Sequence, residues 1–298
     1  MIVKYTINDT SCMFAEACER MMKCTRPVIV SQICVDGSFS SSIGSFVVIN
    51  QDGWVLTAAH LIASFRQHQI DKKKMDEVDK FNREHPESPK MYDPKWVKGQ
   101  SFWWSWDNVG FKSMFVIPEM DLALIQLTNF RSEYVAEYPV FKDPEKMKVG
   151  MSLCRLGFPF VNALTSFNES INKFTINPGV LPVTFFPNDG ILTRHINAGK
   201  SSNREFDISF IETSSPGLKG QSGGPVFDKN GYIMGIQSKT VHHDLGFDIH
   251  DSQTGLPIKQ FLNVGVGVHV SSIIQVLNNQ GIKYKSECDD DGFRIMDW

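Results

Sequence analysis

The sequence predicts an all-β fold of sandwich or barrel type, on three observations. Short strand-like runs recur at close spacing from Val28 to Val270. Turn signals such as Asp36-Gly37 and Asn50-Gln51-Asp52-Gly53 separate them. Helix-like stretches are few.

The first element reads as a short helix over residues 10–24, rich in Met, Ala, Glu and Cys, with Asp9 or Thr10 as N-cap and Pro27 beyond its end. Strand-like runs follow at Val28–Val30, Ser45–Ile49 and Trp54–Thr57. Residues 64–98 interrupt them as a surface insertion. There the charged run Asp71–Glu77 is helix-prone and reads as a solvated face, and Pro86, Pro89 and Pro94 follow it. Strands resume at Phe102–Trp106, where Trp104 and Trp106 share a face and pack inward. Further runs are Phe111–Ile117, Leu122–Leu127, Leu153–Leu156, Phe174–Ile176, Val183–Phe186, Phe206–Ile211, Val226-Phe227, Tyr232–Gln237 and Val264–Val270. Ser271-Ser272 caps a closing helix that stops near Gly281, and residues 284–298 form an acidic tail.

Composition narrows the function classes. A net charge of −3 over 298 residues offers no basic surface for a phosphate backbone, so nucleic acid is a poor partner. No run approaches the roughly 18 apolar residues of a membrane span. The start of the chain lacks the basic segment and apolar run of a secretory signal, so a cytoplasmic location with reduced thiols is expected. The six cysteines, Cys12, Cys18, Cys24, Cys34, Cys154 and Cys288, lack zinc-ligand spacing and read as small buried hydrophobes. His242-His243-Asp244 with His250 reads as polar loop filler. No metal and no cofactor are expected.

The chemistry lies in three motifs. Gly220-Gln221-Ser222-Gly223-Gly224-Pro225 presents a serine between glycines. A hydroxyl is a weak nucleophile and needs a tight turn with backbone N–H donors nearby, here those of Gly220 and Ser222, to hold an oxyanion. Gly53-Trp54-Val55-Leu56-Thr57-Ala58-Ala59-His60 sets an imidazole behind two small residues at the end of an apolar strand. Asp121 heads the apolar run Leu122–Leu127, where a carboxylate is costly unless paired, and an imidazole N–H is a fitting partner. Taken singly, each has a bland counterpart: a glycine-rich turn, a structural histidine, a solvated strand-start aspartate. Together they stand in the order His, Asp, Ser, which is that of chymotrypsin-type enzymes.

The chain resembles the trypsin-like peptidase superfamily, and within it the protease domain of the HtrA (DegP-type) branch. Besides the three motifs, Phe14-Ala15-Glu16-Ala17 resembles the leading helix of that branch. Lys148-Val149-Gly150 with Arg155-Leu156-Gly157-Phe158-Pro159-Phe160 resembles a hairpin, and Gly265-Val266-Gly267-Val268-His269-Val270 the closing strand. The match spans roughly residues 12–283. It implies two packed six-stranded antiparallel barrels, an N-terminal one over about 26–130 with the insertion 64–98 and a C-terminal one over about 145–283. With only some fifteen residues after 283, no PDZ module is expected there. The resemblance also implies a pocket for the residue before the cut, based on Pro216 and walled by Ile236, Gln237 and Ser238. All are uncharged, so small or apolar side chains are expected there. Gln221 occupies the place where trypsin-type enzymes carry an aspartate that pairs with a newly cut amine, so no maturation cleavage is expected.

The functional expectation is a serine endopeptidase acting on protein or peptide substrates. Ser222 attacks, His60 takes and returns the proton, and Asp121 orients the imidazole. An activating protein partner would act on the order of residues 214–220, and nothing in the sequence specifies an oligomeric state. The alternative is a catalytically silent member of the fold that binds or scaffolds, against which the intact Ser, His and Asp count. An esterase shares the acyl chemistry.

Overall fold

Two mainly antiparallel sheets carry the chain, each built largely of short strands. The computed structural model describes residues 13–162, 164–247, 249–258, 260–287 and 293–295. The expected caps Asp9 and Thr10, together with Cys12, Cys288 and most of the acidic tail, lie outside these residues.

The first sheet holds β1 Thr25–Cys34, β2 Phe39–Val48, β3 Trp54–Ala58, β4 Val97–Trp103, β5 Gly110–Ile117 and β6 Leu122–Thr128, in the order β4-β1-β2-β3-β6-β5. Its edge strands β4 and β5 are not paired with each other among the described residues, which leaves a half-barrel. The second sheet begins with β7 Val140–Phe141 and β8 Ser152–Gly157. A separate hairpin, β9 Thr165–Asn168 with β10 Lys173–Ile176, follows. Then come β11 Phe186–Lys200, β12 Asp207–Thr213, β13 Pro225–Phe227 and β14 Tyr232–Asp244. After the small pair β15 Ile249–His250 and β16 Pro257–Ile258, the sheet resumes with β17 Phe261–His269 and ends with β18 Lys285–Glu287 and β19 Phe293–Ile295. Six of its strands run β13-β8-β11-β12-β17-β14, and β14 pairs back onto β13 to close a ring. This is the chymotrypsin-like pair of six-stranded barrels, with the first one open along a seam.

One continuous apolar cluster serves both halves. Phe46, Leu56 and Leu124 from the first sheet and Leu156, Val226 and Val268 from the second are all fully buried within it. Burial of this kind is the main stabilising term, and it fixes the two sheets relative to each other. Trp104 is fully buried, edge-on to Phe46 with centroids 5.3 Å apart, as expected for an inward-facing tryptophan. Its strand ends earlier than the pattern suggests, at Trp103, because Ser105 turns into the left-handed region at φ 64°.

Several expectations are corrected. Helix α1 spans Ala15–Cys24, and its cap, Phe14, makes no side-chain capping bond. Helix α2 spans Ala59–Glu84, so it begins before the expected insertion and includes His60 in its first turn. Its charged face is not wholly solvated: Asp71 is buried and accepts from Gln67 Nε2 at 2.8 Å and Val97 N at 3.1 Å. Helix α3, Val270–Asn279, is capped by the His269 ring, which accepts from Ser271 N at 3.0 Å, and not by the serines. The expected strand at Val183 starts only at Phe186. His242-His243-Asp244 lies within β14 and not in a loop, with His243 facing Glu212 at 3.2 Å. Part of the expected tail is structural: β18 lies parallel to β7, and Glu287 accepts from Lys142 Nζ at 3.2 Å and Asp143 N at 3.2 Å. Among the described residues no helix is long and apolar enough to cross a membrane.

Candidate active site

The first sheet supplies an imidazole and a carboxylate from adjacent strands. β3 and β6 pair with Ala58 opposite Leu122, so the residues just past those ends, His60 and Asp121, meet. Asp121 closes the short turn Pro118–Met120 in the left-handed region at φ 55°, which is uncommon for residues other than glycine, asparagine and aspartate. That geometry is held from several sides. The Asp121 carbonyl accepts from Ala59 N at 3.0 Å, and Oδ1 accepts from His60 N at 2.8 Å. The carboxylate therefore satisfies an amide at the start of α2, whose nominal cap Ala58 has no side-chain acceptor.

The ring of His60 lies on the same carboxylate, with Nδ1 3.0 Å from Oδ1 and 2.9 Å from Oδ2. An ionised carboxylate only accepts, so Nδ1 carries a proton, and in the neutral ring Nε2 is then the acceptor. Ser238 Oγ donates to Oδ2 at 2.6 Å. Burial pushes the Asp121 pKa up, but the hydrogen bonds from His60 and Ser238 outweigh it and hold the carboxyl below its ordinary range.

The second sheet supplies the serine turn between β12 and β13. Gly223 has φ 80°, and a Cβ there would overlap Ser45 O and Thr57 Oγ1, so only glycine lets this turn press against β2 and β3. Ser45 fastens it: its N–H donates to Ser222 O at 2.8 Å and its hydroxyl to Gly220 O at 2.8 Å. Gln221 is fully buried, accepts from Leu218 N at 2.9 Å and donates to Phe186 O at 3.2 Å. A neutral amide thus ties down the lead-in where an ion pair is absent. Ser222 Oγ donates to Ser238 O at 3.4 Å, a long bond, and makes no hydrogen bond to His60 among the described residues. The Gly220 and Ser222 amides have no protein acceptor among the described residues. Both residues line, with His60, a cavity of about 250 Å³.

The structure therefore brings His60, Asp121, Ser222 and Gly220 to one cleft. Of the expected pocket residues, Ile236 is fully buried in the common core. The Ser238 hydroxyl turns to Asp121, and Pro216 presents its carbonyl to Arg155 Nη1 at 2.8 Å and Asn188 Nδ2 at 2.7 Å. Gln237 is buried beside Gly217. Sequence reasoning missed Ser45 and the part played by Ser238. No sequence signal singles them out: β2 carries Ser40, Ser41 and Ser42 besides Ser45, and Ser238 stands between Gln237 and Lys239.

The trypsin-like peptidase domain family matches residues 44–236. A protein described as "Probable periplasmic serine endoprotease DegP-like" from Pseudomonas putida (strain W619) is 24% identical over 70% of this chain and 31% of its own length. "Serine protease Do-like HtrA" from Bacillus subtilis (strain 168) is 24% identical over 53% of this chain and 33% of its own length. The chain thus spans about a third of the curated relatives it matches. Among solved structures, the Rv3671c protease from M. tuberculosis in its active form is 14% identical over 89% of this chain and 84% of that one, with a TM-score of 0.47. The cytoplasmic expectation is overturned here, because the DegP-like relatives are described as periplasmic. It rested on the lack of a leader at the first residue, and where a sequence starts carries no information about compartment.

Proposed function

We propose, for a chain that belongs to the trypsin-like peptidase domain family, that it is a serine endopeptidase acting on peptides or proteins through an acyl-enzyme on Ser222. The observation that carries this reading is the His60 ring held by Asp121 in the same cleft as Ser222 and two amides with no acceptor among the described residues. Ser222 Oγ would leave the Ser238 carbonyl by rotation about χ1, give its proton to His60 Nε2 and attack the scissile carbonyl. The oxyanion would then take the Gly220 and Ser222 N–H groups. The new C–O bond forms as the carbonyl π bond opens. The C–N bond breaks when His60 returns its proton to the amine, and water repeats the sequence to free the acid. No step asks for a metal or cofactor.

The position of the Ser222 hydroxyl supports a second reading, a silent relative that binds peptide without cutting it. A fluorophosphonate probe with intact-mass detection separates the two. The endopeptidase reading expects one adduct per chain, mapped to Ser222 and lost in Ser222→Ala. A chain that stays unlabelled while folded would favour the binding reading.

A further inference from the structure

The two sides of the cleft differ in what they leave open. On the side of the acyl group, the walls are the segment 216–218 and β14 from Gln237 to Thr240. The Gln237 side chain fills the space between them: it is 2% exposed, and a Cβ on Gly217 would overlap its amide. Its Nε2 donates to Lys239 O at 3.0 Å, while Oε1 is buried with no partner among the described residues. Thr240 Oγ1 then donates across the mouth to Gly217 O at 2.6 Å. Only a small side chain fits there without displacing a buried amide and breaking that bond.

The other side is open. The amine leaves with a proton from His60, so the chain after the scissile bond must run through the space that touches both His60 and Ser222. That space is the cavity of about 250 Å³, and none of the residues 236–240 borders it. Through Ser42, Ile43 and Lys219 it continues into a second cavity of about 370 Å³. The walls of the second cavity include Ile43, Phe160, Val161, Leu164 and Leu218. Phe160 is 72% exposed, an aromatic ring held on the rim of an apolar recess. Lys219 is exposed at the junction and has no carboxylate within ion-pair distance among the described residues. Both walls of the first cavity carry polar groups, Gln32, Ser40 and Ser64 among them.

We propose that this chain selects its substrates mainly by the residues that follow the cut. An acidic side chain directly after the scissile bond faces Lys219, and a large apolar side chain next to it seats between Ile43, Leu164 and Phe160. This inference rests on the endopeptidase reading and adds the specificity of the same site. A lysine at that junction attracts a carboxylate through a partly screened interaction. An apolar recess of this volume accepts an aromatic or branched residue and gains from the area it covers.

The test uses the full chain, a degenerate peptide mixture, and mass spectrometry of the products, with fluorophosphonate labelling of Ser222 read in the same samples. The expected profile has its strongest selection in the two positions after the cut, and small residues before it. Lys219→Glu should invert the preference for Glu over Lys directly after the cut, by about 5-fold in each direction in kcat/KM. Phe160→Ala should lower kcat/KM for an aromatic in the next position by about 10-fold. Labelled protein whose products are sorted by one large side chain before the cut overturns this inference alone. So does an unchanged profile in a labelled Lys219→Glu. Folded protein with neither label nor products overturns the endopeptidase reading and this inference with it.

Discussion

The two halves of the cleft are held by different means. On the half from the first sheet, three donors converge on the Asp121 carboxylate: His60 N, His60 Nδ1 and Ser238 Oγ, all at 3.0 Å or less. On the half from the second sheet, the backbone of the serine turn is pinned by Ser45, while the hydroxyl itself has one bond of 3.4 Å. The difference assigns the mobility. The imidazole is oriented by the carboxylate, and the Ser222 hydroxyl, on one long bond, is the group left free to turn about χ1.

The largest effects test this division directly. Ser222→Ala and His60→Ala should each lower kcat by about 10^4-fold or more, because the groups act as a unit. Asp121→Asn should cost about 10^4-fold through the wrong tautomer, yet keep an acceptor for the His60 amide and so nearly keep Tm. Asp121→Ala should lose both, with about 1 kcal/mol of stability gone along with the helix cap. Near-normal turnover in Asp121→Asn would mean that the imidazole is oriented by something else.

Smaller changes separate the halves. Ser238→Ala removes a charge-assisted bond to Asp121 and should lower kcat by about 10-fold, with a pH profile displaced because the carboxylate is less stabilised. Ser45→Ala acts on the other half. Among the described residues it leaves the Gly220 carbonyl only the Phe158 amide as donor, and it should lower kcat by about 5-fold and Tm by a few degrees. Equal effects on stability and none on kcat would show that Ser45 only packs.

The gentlest perturbation is pH. His269 is buried beside His195, and burial followed by that neighbour's charge lowers its pKa from 6.5 to about 4. Its folded value lies below its unfolded one, so the unfolded chain binds the extra proton between these limits. Stability is therefore complete above pH 6.5 and falls as pH drops towards 4, by up to about 3 kcal/mol. Thermal melts at pH 7 and pH 4.5 should register the loss, and His269→Asn, which keeps a cap acceptor for α3, should flatten it. Asp121 behaves in the same sense at lower pH. Its carboxyl is held below the ordinary range, so its contribution is complete above that range and is lost as pH falls through the lowered value.

What was legible in the sequence follows the physics of each segment. The runs Leu122–Leu127 and Trp54–Thr57 were plain because both faces are buried, and the residues at their ends could then be placed together. β11 was missed almost whole, since Phe186–Lys200 is largely exposed and carries Pro187, Gly190 and Gly199, so no alternation marks it. The start of α2 was hidden because its capping group is Asp121, far away in sequence, and local capping rules see only neighbours. The pocket expected before the cut shows a similar limit. Gln237 reads as an uncharged wall residue, but whether an amide lines a pocket or fills it depends on where Gly217 passes, and the bond from Thr240 to the Gly217 carbonyl leaves no local signal in the sequence.

The central claim is that Ser222 forms an acyl-enzyme with His60 as its base, and a pre-steady-state ester assay addresses it most directly. Full-length protein mixed with excess p-nitrophenyl acetate should release a burst of nitrophenol approaching one equivalent per chain, then a slower steady rate, with the acetyl group mapped to Ser222 by peptide mass. The burst should vanish in Ser222→Ala and slow by orders of magnitude in His60→Ala. A wild-type chain that releases nitrophenol without a burst, or that carries the acetyl group on another residue, would contradict the account.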